Sequence, residues 1–511
     1  MSQRMLTASC VAVVMIGVLE FKLIHDTDIF WQIKLGQIML EEGRIPRFDQ
    51  FTYTHAGEPA PAIYPLAQVL YALLYQCGGW HLVRVVHQLA FVGSLWVAAA
   101  TCQRDRTSPL SVSIAMALGF FVMLPNADLR PQSFGLLGFA TLLALARGRL
   151  PFWAKMAIAA PLLLVWQNMH PSVLLGTAAL GGLAGADIVS RFSRSRVGGH
   201  PAEPVGDSDC HEPGHPRITE DSSDRTCNHG SSWELIVLSL LPLALQFATP
   251  EGPYILAASR NNVLISRDVL RLGEWLSPWD PKVVQAVSSF WVVLLGSLIA
   301  MVWFRTRVSW RDRGLFIVMT ILSLYATRFI IFWAVALVPF WAQIVERLVP
   351  AGAFTWARGR GEQTGRSGRS LVGLFGGAAI VFGVLPERFL PILEPGIPLD
   401  GVQALRAHLP GAARIYNDYI WAGPLILGGP RGWRVAVDGR LYFFPDPAEW
   451  RSIEDASAGR ISVEELERRH RPDAFFLYPF LNESLIRNLS SCPRWRVCYS
   501  GPTCVAFVRA R

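Results

Sequence analysis

The sequence predicts a mainly α, polytopic membrane protein, a bundle of about eleven transmembrane helices over residues 1–386 followed by a small α/β domain over 387–511. Three observations predict it. Apolar residues make up 51% of the 511 and charged residues only 17%, with 18 Trp, a composition that suits lipid contact better than a soluble domain. Apolar stretches of helical length recur through the first three quarters of the chain, with Lys and Arg gathered in short clusters between them. From about 387 the pattern shifts to short strand-like runs alternating with helical ones, the signature of an α/β unit.

The candidate spans fall at about 6–24, 80–101, 109–125, 132–147, 154–169, 172–190, 234–250, 285–305, 313–327, 329–347 and 371–386. No small-residue cleavage site follows the first, so an uncleaved span is expected there. The apolar run "IYPLAQVLYALLYQCGG" at 63–79 could be a further span, but charge decides against it. With 63–78 lying flat in the interface, Arg4, "CQRDRT", "ARGRLPFWAK", "RFSRSR", "FRTRVSWRDRG" and "WARGRGEQTGRSGRS" all share one side, as the positive-inside rule requires. The N-terminus is then cytoplasmic, and the C-terminal domain and the first exported loop, 25–79, lie outside. The same clustering accounts for the net charge of +8, so no nucleic-acid partner is expected, only membrane lipids and whatever reaches the outer face.

Two cytoplasmic loops stand out. Residues 191–233 are rich in Ser, Gly, Pro and charge and cannot bury enough apolar surface to order themselves; 348–370 is basic. The first contains Cys210, His211, His215, Cys227 and His229 without the paired spacing of a structural zinc site. In the C-terminal domain, short strands and helices are expected in "ARIYND", "YIWAGPLILGG", "WRVAVDGR", "DAFFLYP" and the closing pair "WRVCYS" and "TCVAFVRA", with "SVEELERRH" helical. Cys492, Cys498 and Cys504 allow one disulfide and one free thiol.

This topology sorts the polar residues. Asp26, Asp28, Asp49, Arg130, Asn168, His170, Glu251, Glu274 and Arg328 all fall at the outer face. A charge in hydrocarbon costs about 2.5–3.5 kcal/mol, so charges gathered at helix ends on one side point to a shared cavity. After "HDTD", the run "IFWQIKLGQIMLEEG" sets Trp31, Leu35 and Ile38 on one helical face and Lys34, Gln37 and Glu41 on another, as an interfacial helix ending at Gly43 would. Asp26 and Asp28 can cap that helix. Alternatively one acts as a general base while the other orients it or binds a divalent cation, Mg or Mn, through oxygen ligands. Arg130 and Arg328 can each hold a phosphate bidentately, and Asn168 and His170 can contact it or an acceptor. Glu274 in "GEWLSPW" has the aromatic neighbours of an interfacial anchor, and Asp438 and Arg440 in "VAVDGRLYFF" end a strand and read as a structural pair or a turn rather than as catalytic groups.

Several stretches together, "DTDIFWQIKLGQIMLEEGRIPRFDQFTYTHAGEP", "LRPQSF", "WQNMHPS", "GEWLSP", the Arg328 span and "RVAVDGRLYFF", resemble a widespread bacterial group of the GT-C glycosyltransferase superfamily. That superfamily includes protein mannosyltransferases, aminoarabinose transferases and oligosaccharyltransferase subunits. The resemblance implies a bacterial inner-membrane enzyme that takes a sugar from a polyprenyl-phosphate carrier and passes it to a glycan, lipid or protein acceptor. It also implies that Asp26 or Asp28 is the acidic site of the first exported loop. Related sequences often read "WWH" after the acidic pair and "W-x-x-x-E-W-L" at the second flat helix, where this chain reads "IFWQ" and "PAIYPLAQ". A transporter or flippase, or a non-catalytic scaffold of envelope-polysaccharide assembly, are the alternative classes.

Overall fold

A computed structural model describes residues 3–102, 107–197, 232–348 and 391–510. The expected span at 371–386, the cysteine and histidine residues of 210–229 and the basic loop 348–370 lie outside the described residues, apart from Leu348.

The N-terminal part is a helical bundle: α1 Gln3–Leu19, α2 Asp28–Glu42, α3 Pro65–Thr101, α4 Pro109–Met123, α5 Gln132–Ala146, α6 Phe152–Met169, α7 Val173–Val197, α8 Ser232–Leu245, α9 Tyr254–Val263, α10 Ser288–Trp303, α11 Trp310–Tyr325 and α12 Ile330–Leu348. Among the described residues four helical stretches are long and apolar enough to cross a membrane: Pro65–Thr101, Pro109–Asn126, Val173–Ser193 and Thr327–Leu348. The remaining apolar helices of the bundle are shorter. At 1.5 Å per residue the 15 residues of α5 rise roughly 22 Å, short of the ~30 Å of hydrocarbon. Apolar length in the sequence overstates regular helix because the ends of several segments leave it, as Leu124–Asn126 and Gln246–Ala248 do by tightening into 3-10 turns. At the centre lies α12, buried on every side from Ile330 to Ala342, as a helix apolar all round must be.

The expected flat helix at 63–78 is the first half of α3. Its backbone leaves helical geometry at Gly78 and Gly79, the latter at φ +58°, and a straight apolar helix resumes to Thr101. Glycine allows that kink.

The C-terminal part is a five-stranded sheet in the order β2-β1-β3-β5-β4, with β1 Ala413–Asn417, β2 Trp433–Val435, β3 Ala474–Leu477, β4 Trp495–Ser500 and β5 Val505–Arg509. The first three are parallel and the last two antiparallel. Each strand falls within an expected segment, and the expected helix is Val463–His470. Cys492, Cys498 and Cys504 are all free thiols.

This domain is built into the bundle through the segment between α1 and α3. The N–H of Ile24 donates to Ile392 and that of Glu394 to Ile24, both at 2.9 Å. The edge of β2 is covered by residues 51–53, with Val435 N–H donating to Phe51 at 2.9 Å and Tyr53 N–H to Val435 at 3.0 Å, so no free edge remains there. The apolar face of α2 differs from expectation. Trp31, Leu35, Ile38 and Met39 are buried in one core with Ile415, Trp421, Leu425 and Trp433 of the domain. An amphipathic stripe reports that a face is covered and not by what, and here protein covers it, at about 1.5–3 kcal/mol for each fully buried Leu, Ile or Met.

Candidate active site

The parallel strands β1 and β2 run toward the bundle, and the loops leaving their C-terminal ends close a cavity at its domain end. The cavity measures about 570 Å³. Asp26, Asp28, Arg130, His170, Glu274 and Arg328 all line it, with Tyr64 from the first loop and Tyr419, Trp421 and Gly439 from the domain. Asn168 does not join them. It lines a separate apolar groove with Met39, Leu66 and Val165, and its Nδ2 donates to the carbonyl of Leu164 at 2.9 Å, because α6 turns that position outward.

The two aspartates differ in environment. Asp26 is buried, its Oδ1 accepting the N–H of Asp28 at 2.9 Å and its Oδ2 bonded by the Nε of Arg130. It therefore fastens the turn that enters α2, one residue before the N-cap position held by Thr27. Asp28 is the first residue of α2 and accepts from Trp31 Nε1 at 3.1 Å through Oδ1. Burial, and then the charge of Asp26, push its carboxyl up to about 7, against the opposing pull of Arg130. Gly439 presses on the same oxygen, and a Cβ there would overlap Asp28 Oδ1. A Cβ at Gly423 would likewise overlap the carbonyl of Thr27, so the domain meets the 27–28 turn at two backbone contacts.

Glu274 is no anchor. Its Oε2 is bonded by Arg130 Nη1 and its Oε1 lies 3.5 Å from Arg328 Nη1, so one carboxylate bridges two guanidinium groups. Arg130 is held by Asp26 through Nε and by Glu274 through Nη1. Among the described residues the carboxylate contact of Arg328 is the longer one with Glu274, and its guanidinium lies 4.1 Å above the ring of Trp275. His170 caps the end of α6, and its Nδ1 accepts the N–H of Ser172 at 3.2 Å, which leaves Nε2 as the protonated nitrogen. Burial and the charges of Arg328 and Arg130 hold its pKa well below the usual value, so the ring is neutral and a hydrogen-bond donor. Tyr64 stacks parallel to it at 6.3 Å.

Tyr64, His170, Asn262 and Arg328 also belong to a second chamber of about 230 Å³, walled largely by apolar side chains such as Leu175, Val263 and Phe332. A polar cavity holding carboxylates thus adjoins an apolar chamber, with a cation and a neutral histidine between them.

The residues do not fit a divalent cation. Both oxygens of Asp26 and both of Glu274 are turned to protons of the protein, and a guanidinium stands between them. Among the described residues no three His, Cys, Asp or Glu side chains are grouped to hold an ion.

Sequence reasoning missed Tyr64, Asp128, Tyr419 and Gly439. Asp128, two residues before Arg130, pairs with Lys22 at 2.8 Å and His25 at 3.3 Å, and the "NADLRP" spacing was the one local signal for it. Asp438 and Arg440 are the structural pair expected, joined by Asp49: Arg440 Nε donates to Asp438 at 2.9 and 3.0 Å and its Nη2 to Asp49 at 2.5 Å, all three groups buried.

A helical bundle roofed by a small sheet domain over a carboxylate cavity is an arrangement with solved counterparts along nearly the whole chain. It is shared with two solved proteins. The oligosaccharyltransferase of Archaeoglobus fulgidus, crystallised tethered to an acceptor peptide containing the NVT sequon, matches with a TM-score of 0.57 at 11% identity over 99% of this chain and 74% of that one. ArnT from Cupriavidus metallidurans matches in its apo state with a TM-score of 0.52 at 13% identity over 98% of this chain and 96% of that one, and bound to undecaprenyl phosphate with a TM-score of 0.51. No family model matches the sequence, and no curated protein matches it.

Proposed function

We propose that this protein is a membrane glycosyltransferase that moves a sugar from a polyprenyl-phosphate carrier to a glycan, lipid or protein acceptor, with inversion, at the extracytoplasmic face of a bacterial inner membrane. The bundle then crosses that membrane about eleven times with the N-terminus in the cytoplasm, and residues 387–511 form the outer domain. The observation that carries the reading is the placement of Asp28, Arg328 and His170 around one cavity that adjoins an apolar chamber. Undecaprenyl phosphate in ArnT and an acceptor peptide in the oligosaccharyltransferase support the two substrate classes.

Each group has a task. Arg328, the less compensated guanidinium, receives the lipid phosphate, and the neutral His170 donates Nε2–H to it. The isoprenoid next to the phosphate occupies the apolar chamber, and the sugar lies in the polar cavity. Asp28 takes the proton of the acceptor hydroxyl or amine as it attacks the anomeric carbon from the side opposite the phosphate; the new glycosidic bond forms as the C1–O bond to phosphate breaks. The phosphate departs as a stable anion and needs no strong acid. A carboxyl near 7 suits a base working at neutral pH. Asp26 and Arg130 hold Asp28 in place.

The test uses the full chain in nanodiscs with a panel of radiolabelled undecaprenyl-phosphate monosaccharides, following undecaprenyl phosphate released and label transferred. Binding of undecaprenyl phosphate that weakens at least about tenfold in Arg328→Ala, with label transfer lost in Asp28→Asn, supports the reading. Unchanged transfer in Asp28→Asn, or undecaprenyl phosphate binding indifferent to Arg328→Ala, sinks it.

A further inference from the structure

We propose that Arg130 is the resident cation of the carboxylate site: its guanidinium stands between Asp26 and Glu274, where a divalent ion shared by these two carboxylates would otherwise sit, and the site works without one. Asp26, Asp28 and Glu274 all face the cavity, and Arg130 contacts two of them directly. Two carboxylates turned to one point repel each other unless a positive charge stands between them, and carboxylate oxygens are what Mg²⁺, Mn²⁺ and Ca²⁺ bind. The guanidinium supplies that charge, and its planar fork points Nε at one carboxylate and Nη1 at the other.

Arg130 is also built to stay. It stands just before α5, where the Ser133 N–H at 3.2 Å and Ser133 Oγ at 3.1 Å both donate to its carbonyl and Pro131 follows it directly. Its side chain is 30% exposed, so the position is reachable from the cavity once the side chain is removed. A tethered guanidinium cannot exchange with solvent, so neither chelators nor metal supply alter the charge at this point. The inference stands on the carboxylate geometry and does not depend on the substrate proposed above.

Mn²⁺ titrated into the purified full chain in nanodiscs at pH 8, with free ion read by electron paramagnetic resonance, tests it independently of activity. Wild type takes up no more Mn²⁺ than Asp26→Asn does. Arg130→Ala frees the carboxylates and gains about one equivalent, bound at least about tenfold more tightly than any Mn²⁺ on wild type, and the double variant Arg130→Ala/Asp26→Asn loses it again. Arg130→Lys keeps the charge and gains nothing, whereas a residue serving only to hold the fold would produce no such contrast. One equivalent on wild type that Asp26→Asn abolishes overturns the proposal, as does an Arg130→Ala protein with the wild-type tryptic pattern that binds no additional Mn²⁺. Should Arg130→Ala fail to fold, Arg130→Gln, which keeps a hydrogen-bond donor and removes the charge, takes its place with the same expected gain.

Discussion

Replacing Arg440 by Met keeps the length of the side chain and deletes its charge and donors. In the native protein that guanidinium makes three contacts with Asp438 and one with Asp49, at distances of 2.5–3.0 Å. Asp438 is 0% exposed and Asp49 5%, so water cannot replace what is lost. Breaking a buried ion pair by removing one partner costs about 3–5 kcal/mol, because a charge is left behind in a dry site. Burial alone would raise the pKa of Asp49, but Arg440 and the Thr52 hydroxyl and N–H outweigh it and hold the carboxyl below its usual value. In the wild type, stability from Asp49 is therefore present above the unfolded pKa and lost as pH falls through the folded one. In Arg440→Met only the Thr52 hydroxyl and N–H still oppose burial and the folded pKa rises, so the variant is most damaged at pH 8 and partly recovers at pH 5. Asp49 belongs to the first loop and Arg440 to the domain, so the lesion loosens their docking. Limited trypsinolysis in nanodiscs should then cleave near residue 50 faster than in wild type, with a lowered unfolding temperature, and adding Asp49→Asn should restore part of the loss. An Arg440→Met protein with wild-type cleavage and unfolding at pH 8 would refute the reasoning.

Other outcomes follow from the same geometry. Because burial and Asp26 push the Asp28 carboxyl up to about 7, its ionised fraction climbs from ~9% at pH 6 to ~91% at pH 8, and transfer should rise about tenfold across that interval; Asp28→Asn should abolish the rise and lower turnover by about 10²–10⁴. Asp26→Asn removes the neighbouring negative charge and should move the midpoint to lower pH, a shift read from the same pH–rate curve. Gly439→Ala sets a methyl on Asp28 Oδ1 and should cut transfer about 10²-fold while trypsin still sees a docked domain. His55 joins Glu58 at 2.9 Å to Glu449 of the domain at 3.2 Å, and the hydrogen bond to Glu449, with help from Glu58 against the effect of burial, pushes its pKa up to about 9. Its contribution to docking is thus complete below about 6.5 and disappears as pH rises through 9, so the unfolding temperatures of wild type and His55→Gln should converge above pH 9.

Composition and apolar spacing determined the class of this protein, because a chain that meets lipid must declare it along its whole length. Charge placement also gathered Asp26, Asp28, Arg130, His170, Glu274 and Arg328 into one group before any fold was known, since a buried charge is too costly to scatter. Only tertiary structure separated the members of that group. Whether Asp26 or Asp28 faces a substrate depends on which one meets Arg130, and whether Asn168 enters the cavity depends on the rotation of α6, to which the local sequence is indifferent. The stripe Trp31, Leu35 and Ile38 was legible as a covered face, but a period of 3.6 carries no information about the covering partner, and the partner proved to be a domain nearly four hundred residues on. Gly439 had no signal at all in a single sequence: its importance is the absence of a side chain beside Asp28, a steric fact that exists only once β2 and α2 have been brought together.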